Sequence, residues 1–340
     1  MSPRPGPFST VRHSAGFYED TSGLLAQIVP LVSDALDRGD AVAMALDQQT
    51  DDALCAVLGP LPDVLRLPHP QSTVGLSGQT EATVRARRFD ELSGGFRPIT
   101  AIIQHDSRFD GPDGRFWTEL DAASNLALAR IPVTLTCFFP RTSPHTSLLA
   151  GARHNHPLLF QDGSAHPNAA FRPPGQVLTR IPVPAPLPLG KPVAAFDLAD
   201  IPLASVRDIT TRAMLRHEYT ASKVSEAVLA MNEVVTNAVQ HGRQPIRLHV
   251  WDTPDGCVFE VHDRGRLVDP LPGLNQPDPD SMHGWGLWIA RQVTDYLHLW
   301  SDEAGTHVRV AMWHTSVPQS LDAEAPQRPA ATAVRATYRR

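Results

Sequence analysis

Three polar side chains recurring every four residues begin the chemistry of this chain. In the run Glu226 to Gly242, EAVLAMNEVVTNAVQHG, they are Glu233, Asn237 and His241. On a helix that spacing stacks them one turn above the next on a single face. Such a face is either solvated surface or one wall of a polar site. Two further groups favour the site. Asp263 ends the alternating run CVFEVHD and is followed by Arg264-Gly265-Arg266, and Gly284 and Gly286 open the helical pattern HGWGLWIA. A carboxylate at a strand end can accept from an exocyclic amine. Glycines at a helix start let backbone N–H groups approach phosphate where the helix dipole is positive. These are parts suited to a nucleotide.

The elements that must position them are legible in the same stretch. Val224, Val228, Met231, Val235 and Ala238 alternate four- and three-residue spacings, the stripe of an amphipathic helix, and Gly242 is expected to stop it in a left-handed conformation. PIRLHVWD alternates Ile246, Leu248 and Val250 with Arg247, His249 and Trp251, a strand pattern that turns at Pro254-Asp255-Gly256 into CVFEVHD. Upstream, VAAFDL reads as an edge strand and SVRDITTRAMLRHEY as a helix capped by Ser205. Downstream, QVTDYLHLWSDEAGTHVRVAMW reads as a helix end and a hairpin turning at Ala304-Gly305.

This set resembles the GHKL ATPase superfamily, and within it the anti-sigma-factor serine-kinase branch. ExxxN at Glu233 and Asn237 is similar to the first box, Asp263-Arg264-Gly265 to the second, and Gly284-Trp285-Gly286-Leu287 to the third. The resemblance implies an α+β two-layer sandwich over residues 193–314 that binds ATP and Mg2+ and phosphorylates a serine or threonine of an anti-sigma antagonist, with a sigma factor as a further partner. It implies Glu233 as the base, Asn237 as the Mg2+ ligand, Asp263 and Gly265 at the adenine, Gly284, Gly286 and Leu287 at the phosphates, and residues 267–283 as a lid. Asn237 suits that role, because Mg2+ takes few protein oxygens and a carboxamide ligates without adding charge beside a polyanion. Four prolines (Pro270, Pro272, Pro277 and Pro279) stiffen the lid, and Arg266 stands where the second box continues to another glycine. That departure keeps open a non-catalytic regulator that acts by docking. Such relatives often pair, so a homodimer is a further expectation. A phosphoacceptor-histidine mechanism is disfavoured, since His217 lies in the domain's own first helix with a proline-rich segment before it.

The preceding half alternates helix-like and strand-like runs: GLLAQIVPLVSDALDRG ending at Gly39, AVAMALD, DDALCAVLG, TEATVRARRFDELSGG ending at Gly94-Gly95, RPITAIIQHD, FWTELDAASNLALAR and IPVTLTCFF. That order predicts an α/β domain over residues 13–172 with a mainly parallel sheet and helices on both faces. HSAGFYED, RGDAVAMALD, DAASNLALARIPVTLTCFF and the RHNHPLLFQDG segment are similar to the MEDS sensory domain of methanogen and methylotroph regulators, which implies a small-molecule ligand. No GxxxxGK[ST] is present, so a P-loop site is not expected. His13, His105, Asp106, His154 and His156 are candidates to converge at the sheet's C-terminal edge. His154-Asn155-His156 suggests a metal only weakly, loop and surface histidines being the plainer account, and Cys137 in a buried strand reads as core.

Residues 173–192 carry the prolines of an extended spacer, and 315–340 read as a disordered tail, as do the first 12 residues. With 340 residues, 42% of them hydrophobic, two packed domains are expected. A net charge of −6 argues against a general nucleic-acid binder. There is no run of about 18 apolar residues and no apolar centre near the start, so neither a membrane span nor a signal peptide is expected. Three scattered cysteines, Cys55, Cys137 and Cys257, fit a reduced cytoplasm.

Overall fold

Short apolar strands separated by capped amphipathic helices build the first half of the chain. The structure, a computed structural model, describes residues 11–68, 74–94, 97–110, 113–143 and 145–314. The chain runs β1 (Arg12–Tyr18), α1 (Thr21–Arg38), β2 (Ala41–Ala45), α2 (Gln48–Leu58), β3 (Leu65–Arg66), α3 (Gly78–Ser93), β4 (Ile99–Gln104), α4 (Arg115–Ala127), β5 (Val133–Pro140), α5 (Thr146–Asn155), β6 (Leu158–Gln161), β7 (Ser164–Pro167) and α6 (Pro174–Arg180). The sheet order is β3-β2-β4-β5-β1-β6-β7. Every pairing is parallel except β6 with β7. β2 and β4 are buried along their whole length, as strands covered on both faces must be. Met44 points into the cluster of Leu24, Ile28, Val32 and Leu54 from α1 and α2. Ala43 and Ala45 point the other way, into the cluster of Ala82, Phe89, Trp117 and Leu120 from α3 and α4.

Local chemistry sets the helix ends. Asp20 and Asp47 accept from the backbone N–H groups of Gly23 and Thr50, and Gly39 and Gly94 close α1 and α3 in the left-handed conformation. Gly95 lies outside the described residues, as do 1–10 and the tail 315–340.

The second half contains β8 (Ala194–Asp197), α7 (Leu203–Met214), α8 (Ala221–His241), β9 (Arg247–Thr253), β10 (Gly256–Asp263), α9 (Trp285–Val293), β11 (Tyr296–Ser301) and β12 (Thr306–Trp313). Its sheet is antiparallel, in the order β11-β12-β10-β9-β8, with β8 at the edge as its sequence suggests. The three helices cover one face: Val206, Ala230, Met231, Val234 and Ala290 pack on Leu248, Phe259, Leu297 and Val310. The opposite face meets the first half of the chain. Trp251, Val258, Tyr296 and Ala311 cluster with Val74, Gln79 Nε2 donates to Leu299 O at 2.8 Å and Thr80 Oγ1 to Leu297 O at 3.0 Å.

Three expectations are corrected. Gly242 follows α8 in an extended conformation (φ −81°, ψ −172°), so it is not a left-handed stop. Its lack of a side chain matters for space instead, since a Cβ there would lie 2.5 Å from both Ala238 O and Asp263 Cγ. Ser205 lies inside α7, whose cap is Pro202 and has no side-chain hydrogen bond. The segment read as an extended spacer begins with α6, which buries Val177 and Leu178. The rest of that segment is tied to the second sheet: Pro184 O lies 2.9 Å from His298 Nε2, Leu187 O accepts from Arg309 Nη1 at 2.7 Å and Gly190 O from Trp251 Nε1 at 3.1 Å.

Candidate nucleotide site

α8 carries the first two site residues. Thr220 caps it by accepting from Lys223 N at 3.2 Å, and its buried stripe of Ala227, Ala230, Met231, Val234, Val235 and Ala238 fixes which way the helix is turned. Glu233 and Asn237 are thereby left half-buried on the flank. Asn237 Nδ2 donates to Glu233 O at 3.0 Å, which leaves the Asn237 carbonyl oxygen as the free acceptor. His241, one turn on, is exposed and joins nothing.

Against this flank lies the start of α9. A Cβ on Gly286 would lie 2.3 Å from Glu233 Oε2 and 3.5 Å from Asn237 Nδ2. The third box therefore touches the first, and glycine is what allows it. Gly284 is the cap of α9 at φ +90°, a left-handed conformation that favours glycine, and no side chain caps the helix. The first N–H groups of α9 are thus left without a side-chain acceptor, the arrangement that suits an anion. Leu287 turns toward the core that α8 and the sheet share. It also lies against the 267–283 segment: a Cβ on Gly273 would lie 2.6 Å from Leu287 Cβ.

Asp263, buried at the end of β10, meets the far end of α8. Its Oδ1 accepts from Gly265 N at 2.5 Å and from Arg243 N at 3.0 Å. A Cβ on Gly265 would lie 2.5 Å from that same oxygen. Two backbone donors on one oxygen hold the carboxylate rigidly, with Oδ2 as its second acceptor. Asn237 to Gly242 is five residues, roughly 7.5 Å along the helix, so the Asp263 contact and the Glu233–Asn237 pair lie at separate points along α8. Arg266 is exposed.

The segment expected to be the lid packs on the first domain. Leu271 and Leu274 are buried, 2% and 4% exposed, in the cluster under α3 and α4. Arg291 Nε donates to Pro272 O at 3.1 Å while its Nη2 donates to Gln79 Oε1 at 2.7 Å. Asp278 pairs with Arg130. A buried polar cluster continues this contact: His298 Nδ1 lies 2.8 Å from Ser77 Oγ and 3.4 Å from Glu119 Oε1. Burial raises the Glu119 carboxyl to about 7 and lowers the His298 imidazole to about 3.

The first-domain candidates do not converge as a group. His13 and His156 do, with ring centroids 4.0 Å apart. His105 instead pairs with Asp110 at 2.6 Å, and His154 stays at the end of α5. His105 and Asp106 do meet in one cleft of about 880 Å³, lined also by Tyr18, Asp47, Gln104 and Arg108, at the C-terminal ends of β1, β2 and β4.

Comparison with known proteins bears on the second domain. Residues 197–312 match the family described as "Histidine kinase-like ATPase domain". Among solved structures, the RsbU and RsbW domains of Rv1364c from Mycobacterium tuberculosis are similar at 21% identity and a TM-score of 0.27, over 38% of this chain. The match spans about a third, 33%, of that chain. No curated protein matches. Among the described residues no helix is long and apolar enough to cross a membrane.

Sequence reasoning missed Gly242 and the Arg243 N–H as the cage of Asp263, and Gln79, Arg291 and the lid leucines as the tie between domains. Gly242 and the lid leucines lay in segments already singled out, but their partners are set by distant contacts, as with Gln79 and Arg291, 212 residues apart.

Proposed function

We propose that the second domain binds Mg-ATP and transfers its γ-phosphoryl group to a serine or threonine of an anti-sigma antagonist, under control of the first domain. The observation that carries this reading is the meeting of the first and third boxes, with Gly286 packed on Glu233 Oε2 beside Asn237. Asp263 Oδ2 would accept from the adenine amine, with Gly265 giving the ring room. The N–H groups of α9 opened by Gly284 and Gly286 would face the phosphates. Asn237 would hold Mg2+ through the carbonyl that its own Nδ2 contact leaves free, and the ion would neutralise the phosphates. Glu233 would take the proton from the attacking hydroxyl as its oxygen bonds to the γ-phosphorus. The bond from that phosphorus to the bridging oxygen breaks, and ADP leaves with the electron pair.

The cleft around Asp47, Gln104 and Asp106 is where a small sensed molecule would bind, at the strand ends that open α/β sheets use for ligands. A ligand there would act through the first domain's hold on the lid. The test is transfer from labelled ATP to a candidate antagonist. Labelled antagonist with wild type and none with Glu233→Gln supports the kinase. Equal labelling by both overturns the assignment of Glu233.

One observation favours a second reading, a nucleotide-binding regulator without turnover: Leu271 and Leu274 pin the lid into the first domain. Calorimetric binding of Mg-ATP with no transfer to any antagonist would select it.

A further inference from the structure

Four ligating side chains meet within the first domain, and none of them lines the cleft. His13 comes from β1, Cys137 from β5, Asp121 from α4 and His156 from the residue after α5. β1 and β5 are neighbours with Ala15 opposite Cys137, so alternation puts His13 and Cys137 on one face of the sheet. All four are buried, 0–4% exposed, and their ligand atoms lie within 4.8 Å of one another. Cys137 Sγ is 3.5 Å from His13 Nε2, and His156 Nε2 is 3.8 Å from Asp121 Oδ1. Edges of this length frame a tetrahedron that closes on an ion with little movement.

The surroundings fix the protonation pattern. Asn125 Nδ2 donates to Asp121 O at 3.1 Å and to Asn155 O at 2.7 Å, so its Oδ1 must accept from His13 Nδ1–H at 3.0 Å. His156 Nδ1 lies 2.6 Å from Ala152 O and so carries the proton. Both imidazoles therefore turn a lone pair at Nε2 inward. His156 Nε2 and Asp121 Oδ2 are buried with no hydrogen-bond partner. Unpaired buried acceptors so close together are costly without a cation. Arg85, a cation whose charge reaches the cluster, is committed to Glu81 at 2.7 Å.

We propose that His13, Asp121, Cys137 and His156 form a closed site for a divalent transition-metal ion of the zinc class. A thiolate and a carboxylate cancel the charge of a dication, which makes the buried site neutral. Thiolate and imidazole select against Mg2+ and Ca2+. With four protein ligands the site is structural in kind, and Asn125 and the Ala152 carbonyl orient the histidines from behind. The ion would tie the sheet to α4, the helix whose Glu119 meets His298 of the other domain at 3.4 Å. The site has no open side, so the ion enters as the domain folds.

The test is the metal content of the full-length chain purified from zinc-supplemented cells, followed by refolding with Co2+ in place of zinc. The expected result is one zinc per chain and, after refolding, a thiolate-to-cobalt charge-transfer band. Cys137→Ser should remove the band and His156→Gln should lower the metal content at least tenfold, whereas Cys55→Ser and Cys257→Ser should leave both unchanged. A native chain free of transition metal, or one whose metal survives Cys137→Ser and His156→Gln together, overturns the proposal. Neither result depends on nucleotide binding, so the ATPase reading stands or falls separately.

Discussion

At the scale of single residues, the two glycines packed against α8 separate function from stability. A methyl on Gly286 meets the carboxylate end of a glutamate, which can swing away, whereas one on Gly242 meets the Ala238 carbonyl, which cannot. Gly286→Ala should therefore leave the melting temperature nearly unchanged while lowering phosphoryl transfer. Gly242→Ala should lower the melting temperature, by the several degrees that about 1–3 kcal/mol of overpacking produces. Thermal melts with a transfer assay on both variants check this, and the opposite assignment would show that the α9 start does not bear on Glu233. Glu233→Gln should lower transfer by roughly 10²- to 10⁴-fold, the usual range for a general base, with Mg-ATP affinity retained. Parallel loss of binding and transfer would make Glu233 a binding residue.

At the scale of elements, α9 depends on its cap. Gly284 holds φ +90°, where an alanine is strained by roughly 1–2 kcal/mol. Gly284→Ala should fray α9 and weaken ATP binding, and hydrogen exchange over Trp285–Val293 reads the fraying directly. Unchanged protection there would mean that the lid, and not the cap, holds the helix. The site elements were legible because their patterns are local: the 3.6-residue stripe of α8, the alternation of β9 and β10, and glycines before α9. What was not legible depended on distant partners. β1 mixes His13 and Ser14 into a buried central strand, so it lacks an apolar run. α6 lies in a proline-rich stretch and forms by packing Val177 and Leu178 against the first domain. Gly242 was read for its backbone freedom, but its neighbour Asp263, 21 residues on, gives the real reason for it. Cys137 and His156 were each visible and each had a bland reading; only the fold brings them to His13 and Asp121.

At the scale of the whole molecule, the ATPase-like sheet is covered on both faces, by its own helices on one and by the first domain on the other. The interface buries ionisable groups, and this makes its stability depend on pH. Glu119 is raised by burial to about 7, so its favourable contribution is complete below the unfolded carboxylate value and is lost as pH rises through about 7. His298 acts in the other sense: it is lowered to about 3, so its contribution is present above the usual histidine value and is lost as pH falls toward 3. Replacing Glu119 by its neutral isostere should remove the first dependence. Glu119→Gln should melt close to wild type at pH 5 and above it at pH 8; melting curves that stay parallel across that range would place the carboxylate in a hydrated setting. Because Leu271 and Leu274 of the lid share the first domain's core, loosening this interface should also alter nucleotide affinity. Domain contact and nucleotide site would then form one coupled system.

The most direct test of the central claim is calorimetric titration of the full chain with ATP, with and without Mg2+, for wild type and Asn237→Ala. The paired first and third boxes predict one ATP per chain for wild type, bound tightly only with Mg2+, and no Mg2+-dependent binding for Asn237→Ala. Wild type that binds no ATP, or Asn237→Ala with the same Mg2+-dependent affinity as wild type, would contradict it.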